Sequence, residues 1–363
     1  MNMRPRSSLF DPKLQRPSAL DSIPRDPGLL WLDKNENLDP ALSAVLREVL
    51  DSIPDSVLGT YPEAGELYRK LARWTAVSPQ SLLLTPGSDG AIRLTYEAFV
   101  EPGDGVIHTF PTFAMYPVYS RMFGALTRTI EYRRVGGVPR LDPTEIVEAL
   151  REHRPKLLCL PNPDSPTGAV LPPDVLREIL SACEQSGSVL LLDEAYHPFY
   201  DWTAVPWTRD SENLVVARTF AKAWGAAGLR IGYAVGNPSI IALLHKMRPM
   251  YEVSTLAVEC MSRMIDRSAE MIQSVARIKA GKALFAEAMR MLDFGVLPGE
   301  GNFSHVAFGE RAGEVHAALA GKVLYRPAAD HPCLAGYSRF SIAPAPIMAQ
   351  VASLIARAAD RVS

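Results

Sequence analysis

The stretch from Lys156 to Tyr196 decides the fold, and it contains three patterned segments. They read KLLCLPNP at 156–163, PPDVLREILSACEQSG at 172–187 and SVLLLDEAY at 188–196. The outer two are apolar runs of strand length, whereas the middle one places apolar residues three and four positions apart, which predicts a helix. Strands connected by a helix lie parallel in one sheet, and strands that are apolar throughout belong to a sheet covered on both faces.

The same alternation continues on either side of this stretch. The apolar runs SLLLTPG (81–87), GVIHTF (105–110) and NLVVART (213–219) are separated by helical patterns. We therefore predict an α/β protein with a mainly parallel sheet that is sandwiched by helices. After Ser254 a long helical pattern runs to about Leu292, and the shorter segments that follow it predict a smaller α+β domain.

Composition excludes several classes of partner. The chain has 363 residues and a formal net charge of -2, so it offers no excess of positive charge to nucleic acid or to an anionic membrane. Its apolar runs are shorter than a membrane span, and we expect no secretion signal and no metal site. Widely spaced cysteines predict reduced thiols and a cytoplasmic protein. They are Cys159, Cys183, Cys260 and Cys333.

Polar, aromatic or glycine residues follow the predicted strands at their carboxyl ends. Ligands of open parallel sheets gather at this edge, so these residues are expected to meet in one site. The segment TPGSDGAI (85–92) also opens a helix, whose free N–H groups and dipole favour an anion. The residues at this edge are Gly87, Ser88, Asp89, Phe113, Asn162, Asp193 and Lys222.

The chemistry of these residues suits pyridoxal phosphate. Lys222 carries an amine in an apolar context, and burial lowers the pKa of a lysine and makes it nucleophilic. Asp193 ends a buried strand and needs a cationic partner, while Tyr196 and Arg230 follow it along the chain. Each residue alone has a plainer explanation, as a solvated lysine, a helix cap or a turn. Their joint order favours a site where the lysine forms a Schiff base, the aspartate pairs with the pyridine nitrogen and the turn holds the phosphate.

The motifs resemble those of fold-type I pyridoxal-phosphate-dependent aminotransferases of class I and II, with the histidinol-phosphate aminotransferases as the closest likeness. In chain order they are LDKNEN, YPEAG, TPGSDGAI, FPTFAMY, PNPDSPTG, LLDEAY, RTFAKAWGAAGLRIGY, GNF and SRFSI. The resemblance covers almost the whole chain. It implies a seven-stranded sheet and a homodimer with shared active sites. It also implies an N-terminal arm at 1–36 that joins the small domain, a large cofactor-binding domain at 37–260 and a small α+β domain at 261–363, which begins within a long helix.

The resemblance assigns roles around the cofactor. Lys222 would be the Schiff-base lysine and would move the proton during transfer, while Asp193 would pair with the ring nitrogen. Tyr196 and Asn162 would hydrogen-bond the ring oxygen, and Phe113 would stack on the ring. The residues expected around the cofactor phosphate are Gly87, Ser88, Asp89, Thr219, Arg230 and, from the neighbouring subunit, Tyr61.

The resemblance also assigns the substrate side. Arg339 would bind the substrate carboxylate as a planar fork, Arg326 matches a second, phosphate-binding arginine, and Asn37 lies in the segment that lines the substrate pocket. The expected reaction is ping-pong transfer of an amino group from histidinol phosphate to 2-oxoglutarate. The alternatives are an aminotransferase for aromatic or other amino acids, a threonine-phosphate decarboxylase, and a binding protein with the same fold. Ala221 stands where this family usually has serine.

Overall fold

The computed structural model describes residues 4–15, 24–328 and 331–359. Its strands are β1 (Leu30–Trp31), β2 (Leu82–Thr85), β3 (Gly105–Phe110), β4 (Leu126–Glu131), β5 (Arg133–Val135), β6 (Val138–Arg140), β7 (Leu157–Pro161), β8 (Val189–Asp193), β9 (Leu214–Thr219), β10 (Gly232–Gly236), β11 (Gly295–Val296), β12 (Phe303–Ala307), β13 (Val323–Leu324) and β14 (Ser338–Ser341). Its helices are α1 (Pro40–Asp51), α2 (Gly65–Thr75), α3 (Gly87–Phe99), α4 (Met115–Met122), α5 (Pro143–His153), α6 (Pro173–Ser186), α7 (Pro238–Met247), α8 (Thr255–Asp266), α9 (Ser268–Met291), α10 (Ala312–Leu319) and α11 (Ala345–Ala359).

Seven strands form one central sheet in the order β2-β10-β9-β8-β7-β3-β4. β10 runs antiparallel to both of its neighbours, and all other neighbouring strands of this sheet are parallel. The predicted fold class, a mainly parallel seven-stranded sheet between helices, is therefore confirmed. Since the parallel strands all point the same way, their carboxyl ends share one edge of the sheet, where a ligand site is expected.

Both faces of this sheet are buried along its inner strands β7, β8, β9 and β10, which explains why these strands are largely apolar, whereas the edge strand β4 (LTRTIE) is mostly exposed. In β8, Leu190 and Leu192 belong to a core on one face, whereas Val189 and Leu191 belong to the core on the other. Helices α5, α6 and α8 contribute to the first core, and α3, α4 and α7 to the second. The inner strands have continuous apolar sequences because neither of their faces meets water.

The C-terminal part adds a smaller layer of strands and helices. β11, β12 and β14 form an antiparallel sheet, and α9 packs against α11. The N-terminal β1 pairs in parallel with β13, so that Leu30 lies opposite Val323 and the N-terminal segment joins this part. The domain boundaries after residues 36 and 260 stay predictions, and residues 1–3 and 16–23 of the predicted arm lie outside the described residues.

The helical pattern from Ser254 to Leu292 forms two helices, whereas the sequence predicts one continuous stretch. The break lies at Arg267, whose backbone departs from helical geometry with φ -106° and ψ 29°. Neither glycine nor proline marks this position in the sequence. Instead, the Arg267 guanidinium lies 2.8 Å from a carboxylate oxygen of Glu48 on α1 and 2.9 Å from one of Glu270 on α9. The contact with Glu48, which local periodicity does not report, joins the break to a helix distant along the chain.

The four cysteines are free, in line with the reduced thiols predicted from their spacing, and all four are buried. Across the described ranges of the chain, no helix combines the length and the apolar character that crossing a membrane requires.

Candidate active site

A cavity of about 660 Å³ lies at the carboxyl edge of the central sheet. It is closed on the other side by residues of the C-terminal part and by the segment that follows β1. Eleven of the predicted site residues line it, which means that the structure brings together positions spread over most of the chain. They are Gly87, Ser88, Asp89, Phe113, Asp193, Tyr196, Thr219, Lys222, Arg230, Arg326 and Arg339.

Lys222 supplies the amine of this cavity. Its side chain is half-buried, and its Nζ donates a hydrogen bond to the carbonyl oxygen of Lys34, 2.9 Å away. Burial and, to a smaller extent, the nearby positive charge of Arg339 lower the pKa of Lys222 to about 8. A lysine with this pKa is partly neutral near physiological pH, so its nitrogen can act as a nucleophile and as a proton acceptor.

Asp193 supplies a buried carboxylate at the end of β8. One of its oxygens accepts a hydrogen bond from the Ala195 N–H at 3.0 Å, and the other accepts one from the Tyr116 hydroxyl at 3.3 Å. Burial raises the pKa of Asp193 to about 7, because these two bonds do not offset the loss of water. A protonated ring nitrogen is the kind of partner that would stabilise the carboxylate here, so Asp193 fits pyridoxal phosphate. Tyr116 is a contact that the sequence analysis missed.

An anion cradle lies at the start of α3. Gly87 has φ +74°, and a Cβ on it would lie 3.1 Å from Nη2 of Arg230, so glycine lets the guanidinium approach the turn closely. A Cβ on Gly232 would lie 2.5 Å from the Gly87 carbonyl carbon, which leaves room for hydrogen alone. The helix begins without a side-chain cap, so N–H groups of its first turn are available to an anion. This donor set fits the phosphate of the cofactor.

Thr219 and Ala221 complete the wall beside this cradle. The Thr219 hydroxyl accepts a hydrogen bond from the Ala221 N–H at 3.1 Å, and both residues line the cavity. Ala221 brings no hydroxyl of its own, so of these two residues Thr219 alone offers a hydroxyl to a bound anion.

Tyr196 is held by a residue that the sequence analysis did not select. Asn35 donates from Nδ2 to the Tyr196 hydroxyl at 2.8 Å, and its own backbone N–H donates to the Ser341 hydroxyl at 2.7 Å. Asn35 has φ +55°, a left-handed conformation that asparagine tolerates better than most residues. Asn37, the predicted residue of the same NEN motif, instead donates to the carbonyl oxygen of Ala223 at 2.9 Å and does not line the cavity. The motif was therefore informative, but its first asparagine is the one that faces the site.

Two further predicted residues lie outside the cavity lining. Asn162 is buried at the end of β7, where its side-chain oxygen accepts a hydrogen bond from the Leu171 N–H at 2.8 Å. Tyr61 is 71% exposed and stacks on Tyr251 with ring centroids 4.2 Å apart. These positions do not test the predicted hydrogen bond from Asn162 to the cofactor. They also do not test whether Tyr61 reaches into the active site of a partner subunit. Both roles stay predictions.

Arg326 and Arg339 lie side by side in the wall of the cavity that the C-terminal part forms, which we call the far wall. Their backbones pair through two hydrogen bonds, with N···O distances of 3.0 and 2.8 Å. Arg339 donates from Nη2 to the carbonyl oxygen of Asp33 at 2.9 Å, and a Nη2 of Arg326 lies 3.8 Å from the Asp33 carboxylate. Burial lowers the pKa of Arg339, and its buried Nε has no hydrogen-bond partner among the described residues. This pair presents unused guanidinium donors to an anion.

The sheet and this cavity together are those of an enzyme that moves an amino group with the help of pyridoxal phosphate. A family model extends this assignment from the site to nearly the whole chain. The chain belongs to the aminotransferases of class I and II, whose model matches residues 27–357. The predictions of an aminotransferase and of pyridoxal phosphate as its cofactor are confirmed by this membership.

Relatives and solved structures agree with the family. A histidinol-phosphate aminotransferase from Thermoanaerobacter pseudethanolicus is 32% identical over 280 residues, which cover 76% of this chain and 78% of the relative. The crystal structure of histidinol-phosphate aminotransferase from Sinorhizobium meliloti in complex with pyridoxal-5'-phosphate matches with a TM-score of 0.78, at 23% identity over 92% of each chain. Aspartate aminotransferase from Thermus thermophilus with maleate matches with a TM-score of 0.73, at 22% identity over 91% of each chain. Because both structures share the fold, the fold does not choose between their substrates.

Proposed function

We propose that this enzyme transfers the amino group of histidinol phosphate to 2-oxoglutarate in a ping-pong cycle. The observation that carries the proposal is the pair of arginines at the far wall of the cavity, Arg326 and Arg339, which suits a phosphate or a carboxylate. Histidinol phosphate carries one such group and 2-oxoglutarate carries two. The relative from Thermoanaerobacter pseudethanolicus bears the name of this activity, which supports the same assignment.

The charges of the lining support an anionic substrate. Among the described residues that line the cavity, the carboxylates are Asp89 and Asp193, both on the side of α3 and β8. Lys222 and Arg230 lie on that same side, whereas Lys34, Arg326 and Arg339 lie on the opposite side, toward the C-terminal part, where no carboxylate of a described residue joins the lining. Five cations against two carboxylates favour negative groups in the cavity, and the three on the side of the C-terminal part are available to an anionic substrate.

The chain's own residues can carry out the proton movements of the reaction. When bound, pyridoxal phosphate supplies an aldehyde that takes up the amino group and a ring that accepts negative charge from the α carbon. Lys222 Nζ would take the proton from the α carbon of the donor and return it during transfer. Asp193 would keep the ring nitrogen protonated, and Tyr196, held by Asn35, would donate to the ring oxygen. Arg339 would orient the substrate so that its α carbon faces Lys222.

We also propose that the enzyme is a homodimer and that it works in the cytoplasm. Large apolar side chains are exposed around the segment that precedes α2 and around the one that follows α7: Leu58 is 74% exposed, Tyr61 71% and Met250 78%. Such a cluster is typical of a protein interface, and Tyr61 on it would reach the partner's cofactor phosphate. Free buried thiols suit the reducing cytoplasm.

A second candidate is an aminotransferase for aromatic amino acids. The observation in its favour is the aromatic and imidazole character of the cavity's rim, where Phe113, Tyr337 and His331 line the wall. The His331 ring also meets Phe110 edge to face, with centroids 5.2 Å apart. These rings could pack against the side chain of phenylalanine or tyrosine as well as against an imidazole.

A panel of amino donors tests the proposal. With 2-oxoglutarate as acceptor, we expect kcat/KM for histidinol phosphate to exceed that for histidinol and for phenylalanine by about 100-fold, since charge-assisted bonds to a phosphate contribute about 3 kcal/mol in total. Arg326→Gln should shrink this preference at least tenfold, whereas Arg290→Gln, an exposed arginine outside the cavity lining, should leave it unchanged. Equal rates for phosphorylated and unphosphorylated donors would contradict the assignment, and a preference for phenylalanine would select the second candidate.

A further inference from the structure

His305 is a cavity residue that the roles above do not use. It lies on β12 directly opposite Arg339 of β14, so their side chains share one face of the small sheet. Side chains directly opposite each other in antiparallel strands have Cβ atoms about 5 Å apart. His305 is 3% exposed, yet it lines the cavity next to Arg339. Its ring is therefore buried in protein and directed at the space that the substrate would occupy.

The surroundings of His305 keep its imidazole neutral. Burial lowers the pKa of His305 to about 3, and the positive charges of Arg339 and Lys282 act in the same direction. The adjacent ring of Phe303 meets the imidazole edge to face, with centroids 5.7 Å apart, and offers it no hydrogen bond. A neutral imidazole has one N–H donor and one acceptor nitrogen.

Neither the donor nor the acceptor nitrogen of this imidazole is hydrogen-bonded to a described residue. No hydrogen bond joins a ring nitrogen of His305 to any other described side chain or backbone group. Neither nitrogen is a fully enclosed atom, so the small exposed fraction of this residue includes its ring nitrogens, which open onto the cavity. Both nitrogens are therefore available to a group that enters the cavity. A nitrogen that faces the cavity next to an arginine is satisfied when an anion binds there.

We propose that His305 is a substrate-binding residue whose ring N–H donates to the same anionic group that Arg339 binds. The inference rests on the proposed function in that the anionic group belongs to the substrate of this site. A neutral donor strengthens anion binding without adding a third positive charge beside Arg339 and Arg326, whose guanidinium groups both contact the carbonyl oxygen of Asp33. It also prefers groups with several acceptor oxygens, such as a carboxylate or a phosphate, over neutral ends of a substrate.

The test measures binding of an unreactive anion to the cofactor-loaded enzyme. Succinate is a dicarboxylate that cannot be transaminated, so calorimetric titration reports its affinity without turnover. We expect His305→Leu to weaken succinate binding about tenfold, as the loss of one hydrogen bond to a charged group predicts. His305→Gln keeps an N–H donor and should stay within about threefold of the wild type.

Two further variants keep the result interpretable. Ser304→Ala changes the neighbouring residue of β12, whose side chain points to the other face of the strand, and should leave succinate affinity unchanged. His305→Phe keeps a flat ring without a donor and replaces the leucine variant if that variant fails to fold. In turnover of glutamate with a 2-oxo acid, the variants without a donor should raise KM about tenfold and leave kcat within about twofold, a split that a general loss of structure would not produce.

The outcomes separate this inference from the proposed function. Wild-type affinity for succinate in His305→Leu and His305→Phe, together with weaker binding in Arg339→Lys, would overturn the role of His305. A failure to turn over histidinol phosphate, with the His305 effects on succinate intact, would count against the proposed donor and leave the role of His305 standing.

Discussion

Replacing Arg218 by methionine tests how strongly a buried ion pair behind the active site supports the fold. Arg218 on β9 donates from Nη2 and Nε to one carboxylate oxygen of Glu194, at 2.8 and 3.1 Å. The side chains of the two residues are 6% and 1% exposed. Glu194 also accepts hydrogen bonds from the Thr203 hydroxyl and the Ala204 N–H, both at 2.7 Å. The pair therefore sits in a fully hydrogen-bonded network directly behind Asp193.

The expected cost follows from these contacts. Arg218→Met removes both guanidinium bonds and leaves the Glu194 carboxylate buried with two neutral donors, which is expected to cost about 4 kcal/mol of the free energy of unfolding. For a chain of this length, such a loss lowers the melting temperature by about 5 °C. The double variant Arg218→Met with Glu194→Leu removes both charges and should recover much of this loss, because no unpaired carboxylate is left in the interior.

Thermal unfolding followed by circular dichroism measures these differences. The matched control is Arg47→Met, since Arg47 pairs with Asp51 on α1 but the two side chains are 76% and 56% exposed. An exposed pair of this kind contributes at most about 1 kcal/mol, so this control should melt within about 1 °C of the wild type. If Arg218→Met had the same melting temperature as the Arg47→Met control, or if the double variant were less stable than Arg218→Met alone, the reasoning from burial would be refuted.

Three other predictions concern the site. Lys222→Ala should lower kcat at least about 1,000-fold with an unchanged circular dichroism spectrum, and steady-state assays showing near-normal turnover would remove Lys222 from its role. Asn35→Gly relieves the positive φ while deleting the donor to the Tyr196 hydroxyl, so kcat/KM should fall about fivefold without a loss of melting temperature; a large loss of stability would mark Asn35 as structural. Burial raises the pKa of Asp193 to about 7, so in the cofactor-free protein its carboxyl favours folding at low pH and this stabilisation is lost as pH rises from about 4 through 7. As pH rises from about 5.5 to about 7.5, the free energy of unfolding of Asp193→Asn should therefore increase by about 2 kcal/mol relative to that of the wild type. Urea unfolding measures this change, and a difference between the two proteins that does not vary with pH would contradict the raised pKa.

Much of the cavity could be predicted because its residues follow strands that are recognisable on their own. Lys222, Asp193 and the turn at Gly87 come at or just after apolar runs, and the carboxyl ends of parallel strands meet at one edge. The spacing of apolar residues was less informative about the side chains that line the cavity opposite the central sheet. Asn35 lies in the segment that follows β1 and His305 lies on β12, and no periodicity in these segments distinguishes the two residues from their neighbours.

What the sequence by itself determined is the central sheet and the chemistry at its carboxyl edge. Strands that are apolar on both faces require helices on both sides, and this requirement sets the layer order and the site's location. Only the tertiary structure decided which asparagine of NEN meets Tyr196, that His305 stands opposite Arg339, and that the long helical pattern breaks at Arg267. The physical reason is the range of the contacts involved. Periodicity reports which face of an element is buried, whereas these three features depend on hydrogen bonds, pairings and ion pairs with elements distant along the chain.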